Sequence, residues 1–225
     1  MTQPANIKWK SCVAIIAFGL FWVNLFNARQ QIAQARVTVS DTESPPPTTP
    51  AAPTTVATPK IPLPFVIYGP NANTTPYSPT GWMGNMNALA VNERSAEYPR
   101  SGATCIKVEY KATGGWAGVV WQDPANDWGD KDGGQNLTGA TKLTVWARGL
   151  TGGENVEFYF GVIKSEKPFP DSDTGRIAVT LTREWKQYTI DLTGKNLTRI
   201  KTGFGWSLAG STKPVTFYID DIQYE

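Results

Sequence analysis

From residue 63 to residue 225 the chain never sustains a helical period. Short runs rich in Val, Ile, Tyr, Phe and Trp are instead broken every few residues by Gly, Asn, Asp or Pro. That pattern specifies extended segments joined by tight turns, and it predicts an all-β, antiparallel β-sandwich. The candidate strands are PFVIYG, ATCIKVEY, GWAGVVWQ, TKLTVWARG, NVEFYFGVI, GRIAVTLT, WKQYTIDL, TGFGWSL and VTFYIDDIQYE. Between them, pairs such as Gly114-Gly115, Gly133-Gly134 and Gly152-Gly153 supply the positive φ that short connections require.

Alternation assigns the faces. Leu143, Val145 and Ala147 share one side of TKLTVWARG, which leaves Trp146 and Arg148 on the other. In NVEFYFGVI the apolar side is Val156, Phe158, Phe160 and Val162, so Glu157 and Tyr159 face away. Sequence neighbours usually pair, and pairing of these two strands would bring Trp146, Arg148, Glu157 and Tyr159 onto one sheet face. In the last strand Val215, Phe217 and Ile219 fall on one side but Ile222 and Tyr224 on the other. A bulge at Asp220-Asp221 would restore the inward register.

Ahead of this domain, Lys8 and Lys10 precede an uncharged apolar run over residues 12–26. Residues 1–36 read as a signal peptide or an N-terminal membrane anchor. Residues 37–62 are dominated by Pro and Thr and carry little to bury, so a disordered, extended linker is expected before a domain at 63–225. The layout places the domain outside the cytoplasm, secreted or held at a membrane. The chain has no His and two Cys, which removes imidazole-dependent catalysis and Cys-rich metal sites. Its net charge of +2 gives no field suited to nucleic acid. A monomer is expected.

Sugar rings have apolar C–H faces and polar rims, so a saccharide site combines flat aromatic platforms with hydrogen-bonding side chains. GWAGVVWQDPANDWGDKDGG has that mixture. Trp121 alternates with Ala117 and Val119 and reads as core, whereas Trp116 and Trp128 read as exposed. Trp82, in GWMG, reads as a further loop aromatic. The candidate ligand-binding residues are therefore Trp116, Trp128, Trp146 and Tyr159 for stacking, with Arg148, Glu157 and Asp171 for polar contacts. No catalytic residue is assigned. Glu157 with Asp171, or Glu154 with Glu157, could be nominated as a glycosidase pair, but neither carries a diagnostic motif. Asp220 or Asp221, with backbone carbonyls and Asn71 or Asn73, could ligate a structural Ca²⁺; the alternative is that Asp220 accepts hydrogen bonds at the bulge.

The closing FYIDDIQYE, the preceding EWKQYTIDLTG, and KLTVWARG followed by VEFYFGV resemble the jelly-roll, galactose-binding-like carbohydrate-binding modules of secreted bacterial proteins. The resemblance implies a β-sandwich, a structural Ca²⁺ with Asp220 among its ligands, and glycan recognition on the concave sheet or its rim loops. The expected function is extracytoplasmic, non-catalytic polysaccharide binding. The alternatives are a jelly-roll glycoside hydrolase or lyase and a structural or adhesion domain of the cell envelope.

Overall fold

The computed structural model describes residues 58–70, 72 and 75–225. The leader, most of the linker, and Asn71 and Asn73 lie outside the described residues. Among the described residues no helix is long and apolar enough to cross a membrane.

Eleven strands form two antiparallel sheets: β1 (Phe65–Tyr68), β2 (Ser78–Gly84), β3 (Leu89–Ser95), β4 (Cys105–Tyr110), β5 (Trp116–Gln122), β6 (Lys142–Gly149), β7 (Asn155–Phe160), β8 (Gly175–Thr180), β9 (Lys186–Asp191), β10 (Thr202–Ala209) and β11 (Val215–Tyr224). The first sheet runs β3-β4-β11-β6-β9, with β1 added to the far half of β11; the second runs β2-β5-β10-β7-β8. All nine expected strands are present. The sequence reading lacks two, β2 and β3, because Pro79, Gly81, Gly84 and the polar run Asn92 to Ser95 interrupt their alternation. GWMG is thus part of an edge strand and not a loop.

Only β3–β4 and β7–β8 pair with their neighbours in sequence. Every other connection crosses from one sheet to the other, which is the jelly-roll course. This overturns the expected pairing of β6 with β7: β6 lies between β11 and β9, while β7 lies between β10 and β8. The turn at residues 150–154 is a corner and not a hairpin. Glu154 Oε1 accepts from the N–H and hydroxyl of Thr151, both at 2.9 Å, while Leu181 donates to the Glu154 carbonyl. These bonds carry the chain over the edge of the sandwich. A tight two-residue turn, which would have kept β7 in the first sheet, is absent here.

The inward faces behave as the alternation requires. Leu143, Val145 and Ala147 meet Val156, Phe158 and Phe160 across a core completed by Trp121, Phe204, Trp206, Phe217 and Tyr224. Trp206 packs edge-on against Phe217 at 5.3 Å, and Trp121 against Phe204 at 5.4 Å. The bulge in β11 is where it was expected. Its pairing with β6 jumps from Asp220–Trp146 to Gln223–Thr144, so Ile219, Ile222 and Tyr224 all reach the core. Asp221 takes the positive φ of +43° that the extra residue demands.

The ordered domain begins ahead of the expected boundary at 63. Lys60 bridges to Asn136, Ile61 donates to the Asn136 carbonyl at 2.9 Å, and the Asn136 side chain donates to Thr58 at 2.9 Å. Residues 58–61 are thereby fastened beside the start of β6. Strand pairing puts this attachment at the end of the sandwich where β5 finishes and β10 begins, here termed the Thr202 end. The opposite end, where β5 starts and β10 finishes, is the Trp116 end.

Candidate functional site

The outer face of the first sheet is covered around Trp146 and Arg148. Trp146 faces away from the core as its alternation requires, but segment 96–104 lies over it and the Arg100 guanidinium stacks on its ring at 3.8 Å. Arg148 rests over Tyr98 at 4.4 Å, and Tyr98 meets the Tyr218 ring edge-on at 5.3 Å. The segment is tied at its base by Asp220, whose Oδ2 accepts the backbone N–H of Arg100 and of Ser101 at 3.0 and 3.1 Å. Trp146 and Arg148 therefore sit on the opposite face of the molecule from Glu157 and Tyr159, because β6 and β7 belong to different sheets.

The Thr202 end of the second sheet is closed by its own charges. Asp171 accepts four donors at once: the N–H groups of Ile163, Lys201 and Thr202, and the Thr202 hydroxyl at 2.7 Å. It is a staple holding the loop after β7 to the start of β10, with no acceptor capacity facing a ligand. Trp128 is 36% exposed, on a loop anchored by a buried ion pair between Asp127 and Lys201, which are 3% and 1% exposed. Burial pushes the Asp127 carboxyl up, but the Lys201 ammonium and the N–H groups of Gly129 and Asp130 outweigh it and hold the group below the usual Asp range.

Midway along the sheet, Tyr159 lies flat on Gly205, where even a β-carbon would fall 2.4 Å from the ring. The tyrosine is 5% exposed, its hydroxyl donates to the Trp206 carbonyl at 3.0 Å, and burial drives its pKa well up. It faces outward as expected, yet it forms part of the floor and offers no open ring.

The Trp116 end is different. Here the outward positions of the central strand are Ser207 and Ala209, flanked by Gly118 on β5 and Ala178 on β8. Small side chains at successive outward positions leave a trough of about 540 Å³. The indole of Trp116, 49% exposed, forms one wall; Asn155, Glu157 and Thr180 supply polar groups on the other side. The Thr180 hydroxyl donates to Asn155 Oδ1 at 2.8 Å, which directs the amide NH₂ elsewhere. Arg176 approaches Glu157 at 3.6 Å. Of the seven residues proposed from sequence, the structure unites Trp116 and Glu157 in one cleft. Asn155, Thr180 and Ser207 join them, and their signal was the strand GFGWSLA, in which every second residue is minimal.

Asn71 and Asn73 lie outside the described residues, so of the expected calcium ligands only the carboxylates at the bulge are described. Asp220 is fully buried and its oxygens already accept three N–H donors, those of Arg100, Ser101 and Asp221. The Arg100 guanidinium pairs with the adjacent Asp221. The carboxylate closes the bulge and carries the covering segment.

No family model matches the sequence, and no curated protein does. Among solved structures, the chain is similar to a family 30 carbohydrate-binding module, with TM-score 0.49 and 18% identity over 72% of this chain and 98% of that one. A family 11 carbohydrate-binding module from a cellulosomal cellulase of Clostridium thermocellum gives 0.46 and 13%, covering 72% and 93%. The family 11 module from the same organism in complex with a β-1,3-1,4-mixed-linked tetrasaccharide gives 0.46 and 14%, covering 71% and 94%.

Proposed function

We propose that this domain binds polysaccharide without cleaving it, in the cleft at the Trp116 end of the second sheet. The observation that carries the reading is an open indole facing a carboxylate, an amide and a hydroxyl across a floor that includes Ala178, Ser207 and Ala209. Trp116 supplies a stacking plane for the C–H face of a sugar ring, while Asn155, Glu157 and Thr180 address its hydroxyl rim. Binding is favoured over hydrolysis because hydrolysis needs two carboxyl groups astride the scissile bond, and Glu157 alone lines the cleft. Asp171 is locked in the Thr202 end, and Glu154 is turned under the 150–154 corner. The apolar run and the Pro/Thr-rich stretch ahead of the domain support an extracytoplasmic setting, tethered or secreted.

Affinity electrophoresis in native gels tests this directly, with mixed-linked β-glucan, xyloglucan, galactan, galactomannan and laminarin as the panel. Retardation by at least one polysaccharide, lost in Trp116→Ala, is expected. Folded protein that migrates freely through every gel would overturn the reading, and reducing-sugar release abolished by Glu157→Gln would replace it with catalysis.

A further inference from the structure

We propose that the cleft continues past the end of the second sheet into a second cavity, and that this cavity is a further subsite for the same polysaccharide chain. The inference rests on the binding reading above. The second cavity, about 380 Å³, lies between the corner at residues 150–154 and the connection from β10 to β11, and Asn155 and Ala209 line both spaces. A chain stacked on Trp116 therefore meets no wall in that direction.

The lining suits hydroxyl-rich residues. Gly153, at a φ of +92°, carries no side chain and faces the cavity, so ligand can come close to main chain there. At Gly153 there is open space where a β-carbon would stand. Across from it Lys213 is exposed and makes no ion pair among the described residues, leaving its ammonium to donate to hydroxyls. The rim is fixed in shape by Glu154. One oxygen holds Thr151, and the other is buried without a hydrogen-bond partner beside Gly149, where a β-carbon would fall 1.7 Å from it.

The subsite predicts a length dependence. Calorimetric titrations with cello-, laminari-, manno- and galacto-oligosaccharide ladders, from disaccharide to octasaccharide, should show affinity still rising beyond the length that fills the Trp116 cleft. Lys213→Ala should weaken the longest members of the bound series severalfold and leave the shortest unchanged, whereas Trp116→Ala should weaken all lengths. Gly153→Trp, which fills the cavity, should truncate the length dependence; if that variant fails to fold, Lys213→Ala still decides. Affinity that levels off once the first cleft is filled, or a Lys213→Ala protein that binds every length like the native one, overturns the subsite while sparing the binding reading. If Trp116→Ala also binds normally, both fall.

Discussion

The two ends of the second sheet are made of similar residues and do opposite things. At the Thr202 end Asp127 and Lys201 are buried and Asp171 is half-buried, and all three are saturated by backbone and neighbouring side chains. At the Trp116 end Glu157, Asn155 and Lys213 stand at the edge of open space. The contrast shows that an acidic side chain near an aromatic is not in itself a binding group. What matters is whether backbone N–H groups from distant strands have already claimed its oxygens.

The largest effect should come from breaking the closed end. Lys201→Met strands a buried Asp127 carboxylate and should cost about 3 to 5 kcal/mol in denaturant unfolding. The fraction that stays folded should keep its polysaccharide retention, since the cleft lies at the other end. Acid provides a second route to the same pair. Asp127 is held below its ordinary value near 3.8, so the stability it contributes is present above that value and is lost as pH falls through its depressed folded value. The acid-side decline in melting temperature should therefore be shallower in Lys201→Met.

At the open end the order reverses. Trp116→Ala should weaken binding at least tenfold, about 1.4 kcal/mol, yet shift stability by no more than about 0.5 kcal/mol. The covered face of the first sheet should respond less still. Arg100→Ala removes an exposed stacking contact and should cost about 0.5 to 1 kcal/mol of stability with no change in retention; any loss of binding would move the site to Trp146. Smallest of all, adding calcium or a chelator should leave the melting temperature where it was, because Asp220 already has its donors.

Much of the fold was legible in the residues. The inward rows of β6, β7 and β9, the core position of Trp121 and the bulge at Asp220-Asp221 all follow from alternation, a local property. Sheet membership was not, since it depends on where the chain goes after Gly149. A turn containing Gly152-Gly153 reads the same whether it returns a hairpin or rounds a corner. The site was half legible for the same reason. Trp116 stood out as an aromatic at a strand start, and Glu157 as an outward acid, but bringing them together requires β10 between β5 and β7. The saturation of Asp171 by residues some thirty positions downstream leaves no mark in its own neighbourhood. A more useful signal lay in Ser207 and Ala209, the small outward residues at the end of GFGWSLA that line the trough, since Gly205 ahead of them is covered by Tyr159.

The fastening of residues 58–61 beside Asn136 has a mechanical consequence. Thr58 is held at one tip of the sandwich, while Trp116 stands at the other, separated by the length of an eight-residue strand, roughly 25 Å. Tension between a gripped ligand and the chain at Thr58 would run lengthwise along the strands. Whatever pulls on the chain at Thr58 would thus act at the end of the sandwich away from the cleft, leaving Trp116 and its neighbours clear of the attachment.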